Sequence, residues 1–404
     1  MFWDNLHFPI VGLSPMDGVT DAPMRFMAKK YGQADIIYTE FVSAEGLWRI
    51  KKKGEMDHKI WKDLLYDESE RPIIAQLFGS DPDSFFEAAK IVCELGFDGI
   101  DINMGCPSPG LEKRGGGAGL MRDVGLAAAV IEATRRGVED YLRTQGIKES
   151  RTQDNEIPVS VKTRIGSDKP DESWWRFLAE QKLPAVAMHG RTFKQLYKGE
   201  ADWEILLRAG EIIRESGTKF LGNGDVAQIS VRSAQKSVLD LRPLSTSADQ
   251  APCLPAGRRA AFAGTSVPIE FAVLLKNGEE IDLTGKVDGV LIGREAIGNP
   301  WTLQKVSQPC LPAGRCHSDT VTPKERLMVM VEHAYKYQEI LGRDCRVGVP
   351  PRNDGSKFQF FPMRKHLACY ARGFEGSGGL RKKLMTAENA EQVEIMIEEF
   401  FSGR

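Results

Sequence analysis

The feature that most constrains this chain is the recurrence of short apolar runs, rich in β-branched residues, that each close on a polar or reactive side chain. Runs at Ile10–Ser14, Ile36–Thr39, Pro72–Phe78, Gly99–Asn103, Val159–Thr163, Ala185–His189, Lys219–Gly222 and Val287–Gly293 read as strands. Between them, stretches such as Ser84–Glu94 and Leu126–Arg136 carry apolar residues at helical spacing. A strand that is apolar along its whole length is covered on both faces, which is the habit of parallel βα units. Eight such units predict a closed (β/α)8 barrel. The rival is an open doubly wound sheet, but no strand here runs into a G-x-G-x-x-G dinucleotide turn.

The strand ends support the barrel independently. Asp17 follows the first strand, Gln76 sits in the third, and Asn103 to Cys106 close the fourth. The fifth carries Lys162 and Arg164, the sixth ends at His189, the seventh at Asn223-Gly224-Asp225 and the eighth at Gly293-Arg294. In a barrel these positions meet on the C-terminal rim, where active sites are built.

Eight units use about three quarters of the 404 residues. A barrel over 1–305 is expected, with an insertion within 226–287, a connecting segment at 306–321 and a small all-helical domain at 322–404. Thr322-Pro323-Lys324-Glu325 reads as the capped start of that domain. Phe271–Leu283, with Lys276-Asn277-Gly278, reads as a hairpin inside the insertion, which is expected to project outward. Pro-Cys-Leu-Pro-Ala-Gly-Arg occurs at 252–258 and again at 309–315. The spacing of Cys310, Cys316 and His317 matches no zinc pattern, so both copies read as surface insertions and no metal is expected.

No stretch approaches the ~20 apolar residues that span a bilayer, and the first residues lack a secretory pattern. The expectation is a soluble cytoplasmic protein and a monomer. Seven scattered cysteines argue for reduced thiols. The 54 basic and 56 acidic residues give a net charge of −2, so any polyanion site has to come from local charge. The tail supplies it: Arg364, Lys365, Arg372, Arg381, Lys382 and Lys383 face only Glu375 between residues 361 and 383, a net of +5. A solvated helix face is the plain alternative.

Glycine pairs at the seventh and eighth strand ends suit a phosphate, because backbone N–H groups can approach its oxygens. Arg294 would add a bidentate cation. Lys162 and His189 would then reach the rest of a phosphorylated cofactor. Cys106 sits on a rim loop, where a partly exposed thiol can donate a proton or act as a nucleophile. The loop that follows holds Lys113, Arg114 and a glycine run at 115–119, and reads as a flexible basic lid over an anionic substrate.

These residues together resemble the tRNA-dihydrouridine synthases. The resemblance is carried by PMDGVTDAPMR at 15–25, QLFGSDP at 76–82, DGIDINMGCPSPGLEKRGGGAGLM at 98–121 and VKTRIG at 161–166. It continues through MHGRT at 188–192, GNGD at 222–225, DGVLIGREAIGNPW at 288–301 and MRKHLACYARG at 363–373. It implies FMN on the rim, with the ring near Pro15, Met16, Asp17 and Gln76, and with Lys162 and His189 touching the flavin or its ribityl chain. Asn223, Gly224, Asp225, Gly293 and Arg294 would hold the phosphate. NAD(P)H would reduce the flavin, a hydride would pass to C6 of an unstacked uridine, and Cys106 would protonate C5. Lys113, Arg114, Arg364, Lys365, Arg372, Arg381 and Lys382 would bind tRNA. Asp17 stands where much of that family has a small residue. The alternatives are an FMN barrel that reduces a free pyrimidine or other small molecule, and a non-catalytic RNA-binding relative.

Overall fold

The computed structural model describes residues 1–55, 58–146, 157–233, 269–306, 321–342 and 359–403. Its centre is a closed parallel barrel. The strands are β1 (Ile10–Leu13), β2 (Ile36–Tyr38), a two-residue β3 (Val42–Ser43) beside β4 (Ile73–Phe78), β5 (Gly99–Met104), β6 (Val159–Arg164), β7 (Ala185–His189) and β8 (Lys219–Asn223). A second sheet contains β9 (Val226–Ser233), β10 (Ile269–Leu275), β11 (Glu280–Asp282) and β13 (Lys305–Val306), while β12 (Gly289–Ile292) returns to the barrel. The ring closes because β1 pairs with both β2 and β12, and β2 pairs with β4. All eight expected strands are present, and the barrel is the observed architecture.

The period of two along each strand sorts side chains into three environments. Val11, Leu13, Ile37, Ile73, Ala75, Leu77, Ile100, Ile102 and Val161 point outward into the layer under the helices. Ile10, Ile36, Ile74, Ala185, Ala187, Leu221 and Leu291 fill the lower interior, and Trp3 packs with them. One step higher on the same inward rows stand Ser14, Gln76, Asn103, Lys162, His189, Asn223 and Gly293. The inside of the barrel therefore turns from apolar to polar along its axis, and that change places the site.

The helices on the outside are α1 (Ala22–Gly32), α2 (Ala44–Lys53), α3 (Ile60–Asp63), α4 (Pro82–Glu94), α5 (Pro109–Glu112), α6 (Val124–Thr144), α7 (Glu172–Glu180) and α8 (Trp203–Arg214). Five of them start on an aspartate whose carboxylate accepts a first-turn N–H: Asp21, Asp81, Asp123, Asp171 and Asp202. Each such cap is worth about 1 kcal/mol.

Four further helices, α9 (Pro323–Gly342), α10 (Arg364–Tyr370), α11 (Ser377–Leu384) and α12 (Ala390–Ser402), follow the barrel. The start of α9 is the expected reciprocal cap: Thr322 Oγ1 accepts the Glu325 N–H at 3.2 Å and Glu325 Oε2 accepts the Thr322 N–H at 2.8 Å. Their core of Leu327, Met330, Leu367, Tyr370 and Val393 also takes in Met27 of α1. Lys30 pairs with Glu332 across the same seam at 2.6 Å.

The hairpin read at 271–283 is present as β10 and β11. The outward projection expected of this region does not hold for its flanks: Val226, Ile229, Phe271, Val273, Leu275 and Leu283 are buried in the main core. Residues 234–268, with the first copy of the repeat, and 307–320, with the second copy, Cys310, Cys316 and His317, lie outside the described residues.

Candidate active site

The polar end of the barrel opens into a cavity of about 750 Å³. Its wall includes Pro15, Met16, Asp17, Gln76, Cys106, Lys162, His189, Asn223, Gly224, Asp225, Gly293 and Arg294, so every residue expected to act as acid or to hold the cofactor lines it. Phe41, Asn103, Arg164 and Tyr197 complete much of the lining.

Cys106 is held by a buried chain of hydrogen bonds. Asp101 accepts from Ser160 Oγ at 2.7 Å and from Gln76 Nε2 at 2.7 Å. Gln76 Oε1 accepts from Asn103 Nδ2 at 3.0 Å, and Asn103 Oδ1 accepts the Cys106 N–H at 2.8 Å and the Gly105 N–H at 3.1 Å. Each amide is thereby fixed in one orientation. Burial raises Asp101 to about 6, and its two donors work against that rise. The Cys106 thiol is half-buried, and desolvation pushes its pKa up. It therefore carries its proton at neutral pH, as a general acid must.

Lys162 donates to Asn223 Oδ1 at 3.2 Å, and Asn223 Nδ2 donates to the Leu291 carbonyl at 2.7 Å. Burial, and then the charge of Arg164, bring Lys162 down to about 8. His189 is held well below its ordinary value by burial and by the cations Arg164 and Lys162, so its ring is neutral. Arg164 is anchored to the carbonyls of Gly105, Thr192 and Leu196 at 2.9, 3.0 and 2.8 Å.

The loop after β8 is built around Gly224. Its φ is +134°, and a Cβ there would lie 2.5 Å from that of Ala201. Asp225 accepts from Arg191, from the Ala201 N–H at 2.8 Å and from Arg294 at 3.4 Å. It acts as the anchor of two arginines. Arg191 stands at the sixth strand's polar end, but the sequence assigns it no role, because that role comes from Asp225, 34 residues away. Its Nε is buried without a hydrogen-bond partner among the described residues. Tyr197 lies under both Arg164 and Arg294, at 5.6 and 5.2 Å from its ring centre.

The residues read as tRNA contacts lie elsewhere. Lys113 and Arg114 are exposed on the loop beyond Cys106. The glycines of that loop do not form an open lid: a Cβ at Gly116, Gly117 or Gly119 would come within 2.7–2.9 Å of Leu111 or Glu112 atoms. Close packing explains them. In the tail, Arg364 donates to the carbonyls of Ala387 and Thr386, and Arg381 to that of Ala371. Arg372 and Lys382 are exposed, and the Lys365 ammonium reaches over Gly18 in the loop after β1.

The sequence model of the family described as Dihydrouridine synthase (Dus) matches residues 12–240. A probable tRNA-dihydrouridine synthase of Staphylococcus aureus (strain COL) is 27% identical over 404 residues, covering 99% of this chain and 95% of that protein. A probable tRNA-dihydrouridine synthase 2 of Bacillus subtilis (strain 168) is 26% identical over 403 residues, covering 99% and 96%. Among solved structures, morphinone reductase aligns over 78% of this chain and 91% of its own, with 13% identity and a TM-score of 0.40.

Proposed function

The chain belongs to the dihydrouridine synthase family, and from that premise we propose that it reduces the C5–C6 double bond of uridines in tRNA, with FMN as cofactor and NAD(P)H as reductant. The observation that supports this most directly is the placement of a protonated cysteine, a lysine, a neutral histidine and a cationic glycine loop on one cavity.

The cavity suits FMN in its own terms. Its volume is that of a cofactor site. Gly224 and Gly293 leave bare backbone at one end, with Arg294 and the unpartnered Nε of buried Arg191 close by. A phosphate takes such donors. Lys162, His189 and Gln76 would face the ring and ribityl chain, and Pro15 to Asp17 would close one edge. When bound, FMN would supply the hydride chemistry that links NAD(P)H to the base.

The protein's own part is orientation and one proton. The Ser160–Asp101–Gln76–Asn103 chain fixes the backbone of Cys106. The thiol would give its proton to C5 of the base, and the thiolate left behind would be reprotonated from solvent. Burial in the wall lowers Lys162 to about 8 and keeps His189 neutral. A uridine has to leave its stack to enter, and the basic tail gives this reading an advantage over a free pyrimidine, which has no use for it. In this reading residues 1–305 form the catalytic unit, 306–321 connect, and 322–404 bind tRNA with Lys113 and Arg114. The chain works as a cytoplasmic monomer; among the described residues no helix is long and apolar enough to cross a membrane.

The test is NADPH oxidation by the flavin-loaded protein with and without unmodified tRNA, with dihydrouridine measured in the product. Cys106→Ala should keep flavin reduction by NADPH and lose dihydrouridine formation by about 10²–10⁴-fold, the usual weight of a general acid. Turnover of free pyrimidines with none on tRNA would overturn the proposal.

A further inference from the structure

The seam between the barrel and the C-terminal helices holds a cluster that this reaction does not use. Asp21 at the start of α1, His333 in α9 and His366 in α10 each offer a ligand atom, and these atoms lie within 4.8 Å of one another. Both imidazoles are completely buried, at 0% exposure, and the Asp21 side chain is 13% exposed. Asp21 Oδ2 is 3.7 Å from His366 Nε2.

Buried polar atoms almost always have partners. Here His333 Nε2, His366 Nδ1 and His366 Nε2 have no hydrogen-bond partner among the described residues. The other atoms of the cluster are engaged. Asp21 Oδ1 accepts the Met24 N–H at 3.0 Å, which fixes the carboxylate. His333 Nδ1 meets the Tyr370 hydroxyl at 3.3 Å, which leaves Nε2 as the ring nitrogen free to take a ligand. A hydrogen bond on the far nitrogen is what holds a ligating histidine in its tautomer and orientation.

We propose that Asp21, His333 and His366 form a binding site for one divalent transition-metal ion, with zinc as the cation it fits best. Two imidazoles and one carboxylate suit zinc and its neighbours, whereas calcium and magnesium take oxygen ligands. With bonds of about 2.0–2.2 Å, the ligand atoms of a tetrahedral zinc site stand about 3.4 Å apart. The Asp21–His366 spacing of 3.7 Å is close to that, and the third ligand atom, within 4.8 Å of the others, has to close by at most about 1.4 Å. Water takes the remaining position. The ion is structural. It ties α9 and α10 to the residue that caps α1, four positions beyond cavity-lining Asp17.

The experiment uses tag-free full-length protein as isolated, with zinc measured by mass spectrometry before and after chelation and re-addition of zinc sulfate. One zinc per chain is expected, with a melting temperature that falls on chelation and recovers on re-addition. Asp21→Asn should hold no stoichiometric zinc and show no zinc-dependent shift, yet stay folded, because its side-chain oxygen still caps α1. His366→Gln should behave alike. Wild-type protein without zinc or a zinc-dependent shift overturns the proposal. So does zinc that persists at one per chain in Asp21→Asn, since it would then sit elsewhere, on cysteines for example. Metal content and melting are read without any enzyme assay, so failure here leaves the dihydrouridine reading untouched.

Discussion

Gly224→Ala is the sharpest perturbation of the glycine loop after β8 that lines the cavity. The added Cβ would lie 2.5 Å from Ala201 Cβ and 3.2 and 3.4 Å from His189 Cδ2 and Nε2. The backbone at φ +134° is strained for any L side chain, at a cost of order 1–3 kcal/mol. Overpacking adds about 1–3 kcal/mol. The substitution should therefore destabilise the protein by about 2–6 kcal/mol. At about 2–4 °C per kcal/mol for a domain of 150–250 residues, the melting temperature drops by several degrees. The damage is not confined to stability, because Ala201 cannot move alone: its N–H holds Asp225, and Asp225 holds Arg191. The assay is thermal unfolding by circular dichroism together with flavin retained after gel filtration. Ala201→Gly removes the partner of the closest contact and leaves the backbone strain in place. In the double variant the packing share should return, a favourable coupling of about 0.5–3 kcal/mol in the mutant cycle. Gly224→Ala protein that melts within a degree of wild type and keeps its flavin would refute the reasoning, and a zero coupling would refute the assignment to Ala201.

Lys162 gives a pH test with two opposite slopes. With its pKa lowered to about 8, the folded lysine loses its proton well before the unfolded one does. Flavin affinity should therefore fall as pH rises through about 8, where the cation disappears. Stability of the flavin-free protein should gain from the same residue between about 8 and the ordinary 10.5, where only the unfolded chain stays charged. Lys162→Met should abolish both trends; parallel pH profiles in wild type and variant would count against the assignment. Arg25 and Glu70 form an ion pair at 2.6 Å with both side chains at 0% exposure. Glu70→Gln leaves the guanidinium buried without its counter-charge and should cost about 3–5 kcal/mol in urea unfolding; a loss under about 1 kcal/mol would show that the arginine finds another partner. Lys365→Glu, Arg372→Glu and Lys382→Glu should each weaken tRNA binding and flatten its dependence on salt. Flavin content should stay at the wild-type level, and an unchanged salt slope would remove these residues from the interface.

What the sequence discloses, and what it hides, follows from the distance over which a residue's meaning is decided. Barrel strands are legible because their pattern is local: Ile10–Leu13 or Gly289–Ile292 is apolar wherever it lies, and the polar residues that follow mark the rim. Once the fold is a closed barrel, the strand-end residues from Asp17 to Arg294 must share one cavity, and they do. Helix α11 escapes the same reading, since Gly378 and Gly379 are poor helix formers and its basic run resembles a solvated face. Strand β9 looks like part of an insertion because its partners, β10 and β13, lie far along the chain, pairings that no local pattern announces. The same limit applies inside the site. Cys106 and Lys162 carry their chemistry in their side chains, whereas Asp101 and Arg191 acquire theirs from partners 25 and 34 residues away. Asp21 shows both kinds of meaning in one side chain. One oxygen caps α1 across three residues, a role any reader of helix starts could assign. The other faces histidines more than 300 residues downstream, and only the docking of the last helices against the barrel turns it into a candidate metal ligand.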